Sequence, residues 1–145
     1  MEKKDFKANF KWGTATSSFQ IEGSANSDGK LESIWDRFSS TPGKIRNSDN
    51  AKIACDHYNR WEGDFDLLEQ LGVNSYRFSI SWPRVMNKDL KTLNSKGLDF
   101  YDKMVDNLLS RNIEPFITLN HWDIPQIFHE KGGWIERDTS KLFLD

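Results

Sequence analysis

Four side chains near the ends of apolar segments could take part in ligand chemistry: Gln20, Arg77, His121 and Trp122. The amide of Gln20 carries a donor and an acceptor together, which suits two neighbouring hydroxyl groups. Arg77 lies on the small, polar face of an alternating segment, where an inward guanidinium needs a carboxylate partner. Each also has an ordinary alternative: an exposed loop amide, a structural ion pair, a structural histidine and a core-filling ring.

Carboxylates are a second source of chemistry, because one acid and one base can act as a pair. We interpret the following five as caps, loop ties and helix-surface charges rather than as catalytic groups: Glu22, Asp36, Asp56, Glu62 and Asp123. Asp123 forms a His-x-Asp pair with His121, but no third nitrogen or sulfur ligand is spaced nearby, whereas catalytic zinc usually has three protein ligands. We therefore predict neither a metal site nor a cofactor.

Alternating strands and helices must position these residues. The patterns predict strands over 10–15, 75–80 and 115–119, and loops over 82–94 and 121–134. Apolar stripes predict one helix capped by Asp56 and ending at Gly72, and a second that ends near Arg111. A third helix would start at Thr139, capped by Asp138.

This order of elements predicts a parallel α/β sheet with right-handed crossovers and helices on its outer face. In such folds the loops at the carboxyl ends of the strands carry the chemistry, and Gln20, His121 and Trp122 lie in such loops. Arg77 instead lies on a strand. We find no linker within residues 1–145 and treat them as one unit.

Composition excludes several classes of function. A net charge of -2 offers no basic field for nucleic acid or anionic lipid, so we expect neither as a partner. No apolar run reaches about 18 residues and no secretory h-region is visible, so we expect a cytoplasmic protein without membrane spans. The single Cys55 excludes an internal disulfide. No glycine-rich phosphate loop follows a strand, which argues against a nucleotide-dependent enzyme.

Motifs along most of the chain point to one family. These segments occur in the family's order and at its spacing: 10–23 (FKWGTATSSFQIEG), 56–60 (DHYNR), 71–84 (LGVNSYRFSISWPR), 115–125 (PFITLNHWDIP) and 131–134 (KGGW). Together they resemble glycoside hydrolase family 1, the retaining β-glycosidases with a (β/α)8, or TIM, barrel. The resemblance implies a partial barrel of about three βα units, with residues 1–145 as the N-terminal fragment of a single catalytic barrel.

The resemblance also implies roles for the four residues. In the family the glutamine matching Gln20 binds two adjacent hydroxyls of the non-reducing sugar, and the histidine matching His121 bonds a hydroxyl of the same sugar. The tryptophan matching Trp122 forms a wall of the pocket, and the arginine matching Arg77 orients the nucleophilic glutamate. The implied activity is hydrolysis of β-glucosides or β-galactosides by double displacement, with a β-linked glycoside as ligand.

Neither catalytic glutamate of the family has a counterpart in these motifs, and both are expected beyond Asp145. The fragment alone is therefore predicted to be inactive, with the remainder of the barrel as a partner. Phe19 and the Trp122-Asp123 pair resemble relatives that act on non-phosphorylated glycosides, while Asn120 departs from the residue that many relatives carry before the histidine. The alternative is a non-catalytic sugar-binding or barrel-complementing module.

Overall fold

A computed structural model describes residues 6–144, in which three parallel strands form one sheet in the order β1-β2-β3. The strands are β1 (Gly13–Ala15), β2 (Ser75–Ser79) and β3 (Glu114–Thr118). All three predicted strands are confirmed, but β1 begins three residues late. Residues 7–10 form a turn instead, and the ring of Phe10 packs on that of Trp12 at 4.8 Å. Gly13 allows close pairing, because a Cβ there would lie 2.8 Å from the Ser75 carbonyl oxygen.

Seven helices are described in residues 6–144, and two of them are long. They are α1 (Ser18–Ile21), α2 (Ile34–Ser40), α3 (His57–Gln70), α4 (Trp82–Val85), α5 (Ser95–Ser110), α6 (Gln126–Glu130) and α7 (Arg137–Leu144), with short 3-10 turns at Arg46–Ser48 and Gly133–Ile135. The long helices α3 and α5 confirm the two predicted from apolar stripes. Within residues 6–144, none of the helices is long and apolar enough to cross a membrane.

The structure corrects the two predicted loops. Segment 82–94 contains α4, and segment 121–134 contains α6 and a 3-10 turn. Both helices are too short to show an apolar stripe, and each has a proline near its start: Pro83 lies in the first turn of α4, and Pro125 immediately precedes α6. Proline fits the start of a helix because the first backbone N–H groups have no partner within the helix.

Two predicted caps also differ. Asp56 does precede α3, but its backbone is left-handed (φ 57°) and its carboxylate accepts from Asn59 Nδ2 rather than from the backbone of the helix. The last helix begins at Arg137, two residues earlier than predicted. Asp138 therefore lies inside its first turn, where a carboxylate interacts favourably with the helix dipole.

The hydrophobic core lies between the sheet and the long helices. Tyr76 and Phe78 alternate along β2 and point to the helical side, where Phe65 of α3 and Leu108 of α5 are fully buried. The rings of Phe65 and Tyr76 meet edge to face at 5.8 Å. This packing fixes the direction of β2 and therefore the position of the loops that follow the strands.

The opposite face of the sheet has a different character. Ala15, Arg77 and Phe116 lie side by side in register across β1, β2 and β3. Ala15 and Phe116 are exposed and Arg77 is half-buried. We call this the inner face, because it would line the interior of a barrel.

Candidate functional site

An open pocket of about 370 Å³ lies where the loops after β1 and β3 meet. It is lined by Ser17, Phe19, Gln20, Trp35, His121 and Trp122. The structure therefore brings together three of the four residues singled out from the sequence. Aromatic rings provide most of its apolar wall, and an amide and an imidazole provide polar groups.

Gln20 is carried by the short helix α1. Ser17 enters the helix in an extended conformation, and the next backbone N–H, that of Ser18, donates to Ser79 Oγ at 2.8 Å. The N–H of Gln20 donates to the carbonyl of Ser17 at 3.1 Å. These bonds hold the helix against the end of β2, and the side chain of Gln20 remains exposed at the pocket.

Glu22 anchors the other end of α1. Its buried carboxylate accepts from Arg84 Nε at 2.9 Å and from Tyr101 Oη at 2.5 Å, and the Arg84 guanidinium lies 4.0 Å from the centre of the Tyr58 ring. Burial alone would lower the pKa of Arg84, but the Glu22 carboxylate, with smaller contributions from Tyr101 and Tyr58, outweighs it, so that the pKa is raised. Glu22 is thus a loop tie, as its interpretation from sequence predicted.

His121 and Trp122 form the opposite wall. Their rings lie 5.9 Å apart at 33°, and the indole is 71% exposed. The backbone of Trp122 is left-handed (φ 73°), which is uncommon for a residue with a large side chain. The chain turns so sharply there that the next residue, Asp123, is only 1% exposed.

Asp123 points into the protein and does not line the pocket. Its Oδ2 accepts from Ser18 Oγ at 2.7 Å, and its Oδ1 has no hydrogen bond to residues 6–144. Burial raises the pKa of this carboxyl group to about 6, with a smaller contribution from Glu22, although the Ser18 hydroxyl, the N–H of Asp123 itself and the Ser81 hydroxyl act in the opposite direction.

Arg77 lies outside the lining of this pocket. On the inner face its Nε donates to Thr118 Oγ1 at 2.7 Å. Within residues 6–144 no carboxylate forms an ion pair with it. The carboxylate partner predicted from the sequence is therefore not among the described residues.

Two aromatic residues of the pocket were not singled out as site residues from the sequence. Phe19 and Trp35 have rings 6.2 Å apart. Trp35 lies on α2, whose start is marked by a capping box between Ser33 and Asp36. That box is a usable signal for the helix, but the position of the helix depends on a bridge between Ser33 and Pro125, which are far apart in sequence. Within residues 6–144 no group of three His, Cys, Asp or Glu side chains could hold a metal ion.

Comparison with known proteins identifies the family. The family model for glycosyl hydrolase family 1 matches residues 2–145. β-Glucosidase A of Thermotoga maritima is 50% identical over 145 residues, which are all of this chain and 32% of that protein. β-Glucosidase A of Acetivibrio thermocellus is 52% identical with the same coverage, and the aryl-phospho-β-D-glucosidase BglC of Bacillus subtilis is 47% identical over 141 residues, 97% of this chain and 30% of that protein.

Solved structures agree with the sequence match. The family 1 β-glucosidase from Thermotoga maritima superposes with a TM-score of 0.89 at 50% identity, covering 94% of this chain and 31% of that one. The same enzyme in complex with cyclophellitol gives a TM-score of 0.91 with the same coverage and identity. These neighbours are TIM barrels, which confirms the prediction of a partial barrel. The chain spans about a third of the length of the relatives it matches, and it belongs to glycosyl hydrolase family 1.

Proposed function

We propose that residues 1–145 supply part of the sugar-binding pocket of a retaining β-glycosidase that hydrolyses β-glucosides or β-galactosides. The observation that carries this proposal is the convergence of Gln20, His121 and Trp122 on one pocket. They come from two loops about 100 positions apart in the sequence, and each matches a family residue that contacts the sugar. The β-glucosidase names of the relatives support the same activity.

The chemistry of the pocket suits one pyranose ring. The amide of Gln20 can accept from one hydroxyl and donate to its neighbour, and the imidazole of His121 can bond a further hydroxyl. The rings of Phe19, Trp35 and Trp122 offer apolar faces against which the C–H groups of a sugar can pack. An apolar pocket with a few polar groups that fix orientation is typical of small-molecule sites.

Arg77 would act on the nucleophile rather than on the sugar. Within residues 6–144 only its Nε forms a hydrogen bond, which leaves both Nη nitrogens available to an anion. A guanidinium beside a carboxylate lowers the pKa of that carboxylate and keeps it ionised. In the proposed reaction this carboxylate is a glutamate supplied from outside residues 1–145.

The reaction proposed for the whole barrel has two steps. The ionised glutamate attacks the anomeric carbon while a second, protonated glutamate gives its proton to the departing oxygen; water then attacks the glycosyl-enzyme with the second group as base. Asp123 does not fill the acid role, although its pKa is raised to about 6, because it is buried and bonds Ser18 behind the pocket.

The substrate is proposed to be non-phosphorylated. This rests on Phe19 before Gln20 and on Asp123 after Trp122, which resemble that group of the family. The Bacillus subtilis relative is named for aryl-phospho-β-D-glucosides, so the two substrate classes must be compared directly.

A fusion enzyme tests the proposal: this chain replaces the matching third of Thermotoga maritima β-glucosidase A. We expect it to hydrolyse 4-nitrophenyl β-glucoside, and Gln20→Ala and His121→Ala to lower kcat/KM by about 100-fold, because hydrogen bonds to the sugar strengthen in the transition state. The matched controls Gln70→Ala and His129→Ala alter exposed residues of the same types outside the pocket and should have no effect.

A folded fusion enzyme without activity, or variants of Gln20 and His121 that behave like their controls, would refute the proposal. Preferential hydrolysis of the 6-phosphorylated substrate would refute only the substrate class. The 145-residue chain assayed by itself is expected to show no turnover. If the fusion enzyme does not fold, mixing this chain with a polypeptide that carries the remaining strands should restore activity.

A further inference from the structure

Polar groups from three separate loops meet in the protein interior behind the pocket. Ser18 follows β1, Ser79 ends β2 and Asp123 follows β3, and all three are buried. Such clusters are uncommon at the carboxyl ends of strands unless each polar atom finds a partner, because an unpaired buried polar group costs about 1 to 3 kcal/mol. Because one residue comes from each of the three βα units, this cluster joins all three units at one point.

Ser18 is the centre of the cluster. Its hydroxyl donates to Asp123 Oδ2 at 2.7 Å and accepts from Ser79 Oγ at 3.1 Å. Its backbone N–H donates to the same Ser79 oxygen at 2.8 Å. A continuous chain of hydrogen bonds therefore runs from β2 through α1 to the loop after β3.

The two ends of this chain stand beside the groups that face the pocket. Ser18 and Gln20 are two residues apart on the same short helix, and Asp123 directly follows His121 and Trp122. Only one residue separates Ser18 from Gln20, and none separates Asp123 from Trp122. The bond between Ser18 and Asp123 therefore connects the two walls across the back of the pocket.

Stability alone does not explain an acid at this position. Asp123 Oδ1 has no hydrogen bond of good geometry within residues 6–144. Burial raises the pKa of this carboxyl group to about 6 and outweighs the N–H of Asp123 itself and the Ser81 hydroxyl, which act to lower the pKa. An incompletely bonded buried acid destabilises a fold near neutral pH. A second connection between the loops exists farther along the chain, where the Ile34 N–H donates to the Ile124 carbonyl at 3.1 Å, so Asp123 is not needed merely to join them.

We propose that Asp123 is a positioning residue: bound to Ser18, it fixes the separation and orientation of Gln20 relative to His121 and Trp122. This inference rests on the proposed function, because its effect is exerted on the sugar. Asp123 touches neither the sugar nor the reacting atoms. It acts by holding both walls of the pocket at the spacing of one pyranose.

The fusion enzyme again provides the test. Asp123→Ala and Ser18→Ala should each lower kcat/KM by about 100-fold, the cost expected when a binding group is displaced by about 1 Å. Because both variants break one bond, the double variant should be no worse than either single variant. Asp123→Asn keeps an oxygen that can accept from Ser18 Oγ and should retain activity within about threefold of the parent.

Met104→Ala is the matched control, since it removes a buried side chain of α5 outside the pocket lining. It should lower the melting temperature while leaving kcat/KM unchanged. If Asp123→Ala and Ser18→Ala behave in the same way, the positioning role is wrong. Loss of activity in Gln20→Ala would still support the proposed function in that case, so the two failures are distinguishable.

A second measurement applies even if the fusion enzyme cannot be assayed. In the NMR spectrum of the 145-residue chain, Asp123→Ala should shift both the side-chain amide signals of Gln20 and the ring signals of His121. Asp123→Asn and Met104→Ala should leave them in place. Unchanged signals in Asp123→Ala would overturn the proposal.

Discussion

Two arginines show the contrast between the helical layer and the inner face of the sheet. Arg84, in the helical layer, is completely buried, pairs with Glu22 and packs over the ring of Tyr58. Arg77, on the inner face, is half-buried and donates to the hydroxyl of Thr118. One charge has its partner within the described residues, and the other has only a neutral acceptor there.

The apolar side chains repeat this contrast. Leu108, on the helical side, is fully buried, whereas Phe116 on the inner face is 44% exposed. Leu108 finds its contacts among neighbouring βα units of this chain, whereas Ile117, which lies on the helical side of the last strand β3, is also 44% exposed. The inner face gathers side chains from all strands of a barrel, so its contacts depend on segments outside the third of the family fold that this chain covers.

The largest expected effect tests the two arginines against each other. Arg84→Ala leaves the Glu22 carboxylate buried without its counter-charge, which should reduce the free energy of unfolding of the 145-residue chain by about 3 to 5 kcal/mol. Arg77→Ala removes one hydrogen bond and should cost no more than about 1 kcal/mol. Urea unfolding followed by circular dichroism measures the free energy of unfolding of both variants. Similar losses in the two variants would contradict the difference proposed between the two arginines.

The next effect concerns the two apolar residues. Leu108→Ala should destabilise the 145-residue chain by about 3 kcal/mol, because it removes a fully buried side chain and leaves a cavity. Phe116→Ala should cost less than about 1 kcal/mol in the same chain, since the ring is already partly in water. In the fusion enzyme the cost of Phe116→Ala should rise to that of Leu108→Ala. An unchanged cost there would mean that the inner face is not covered in the barrel.

The smallest effect concerns Asp123, which is buried behind the pocket and accepts from Ser18. Its pKa is about 6 in the folded chain, against a usual value of 3.8, so the folded state holds the proton more tightly. The contribution of this group to the free energy of unfolding is fully present below about pH 4 and is lost as the pH rises through 6. The asparagine of Asp123→Asn cannot ionise. The free energy of unfolding of this variant should therefore rise relative to that of the parent by about 2 kcal/mol between pH 4 and 7.5. Parallel melting curves over that pH range would contradict the assignment.

Sequence patterns predicted the elements with long repeats. The apolar stripe through Tyr58, Phe65 and Leu68 predicted α3, and the alternation of Tyr76 with Phe78 predicted β2. Both patterns are visible because each element buries one face along its length. The short helices α4 and α6 were predicted as loops. Four or five residues cannot show a helical period, and Pro83 and Pro125 signal a turn as readily as a helix start.

The part of the site that lies at the ends of neighbouring strands could be predicted from the sequence. Gln20, His121 and Trp122 were assigned to one site because their segments resemble family motifs and each follows a strand, and the pocket brings them together. Trp35 was missed because its place depends on the pairing of Ser33 with Pro125, about ninety positions away, which no local pattern records. The roles of these residues in sugar binding remain predictions.

The left-handed backbone at Trp122 limits how this pocket can be redesigned. Glycine or asparagine at this position would relieve the backbone strain but remove the indole wall. A β-branched residue would lose the wall and increase the strain as well. Glycine and asparagine therefore gain backbone stability at the expense of the proposed sugar contact, whereas another aromatic residue keeps the ring at the backbone cost that the chain already carries.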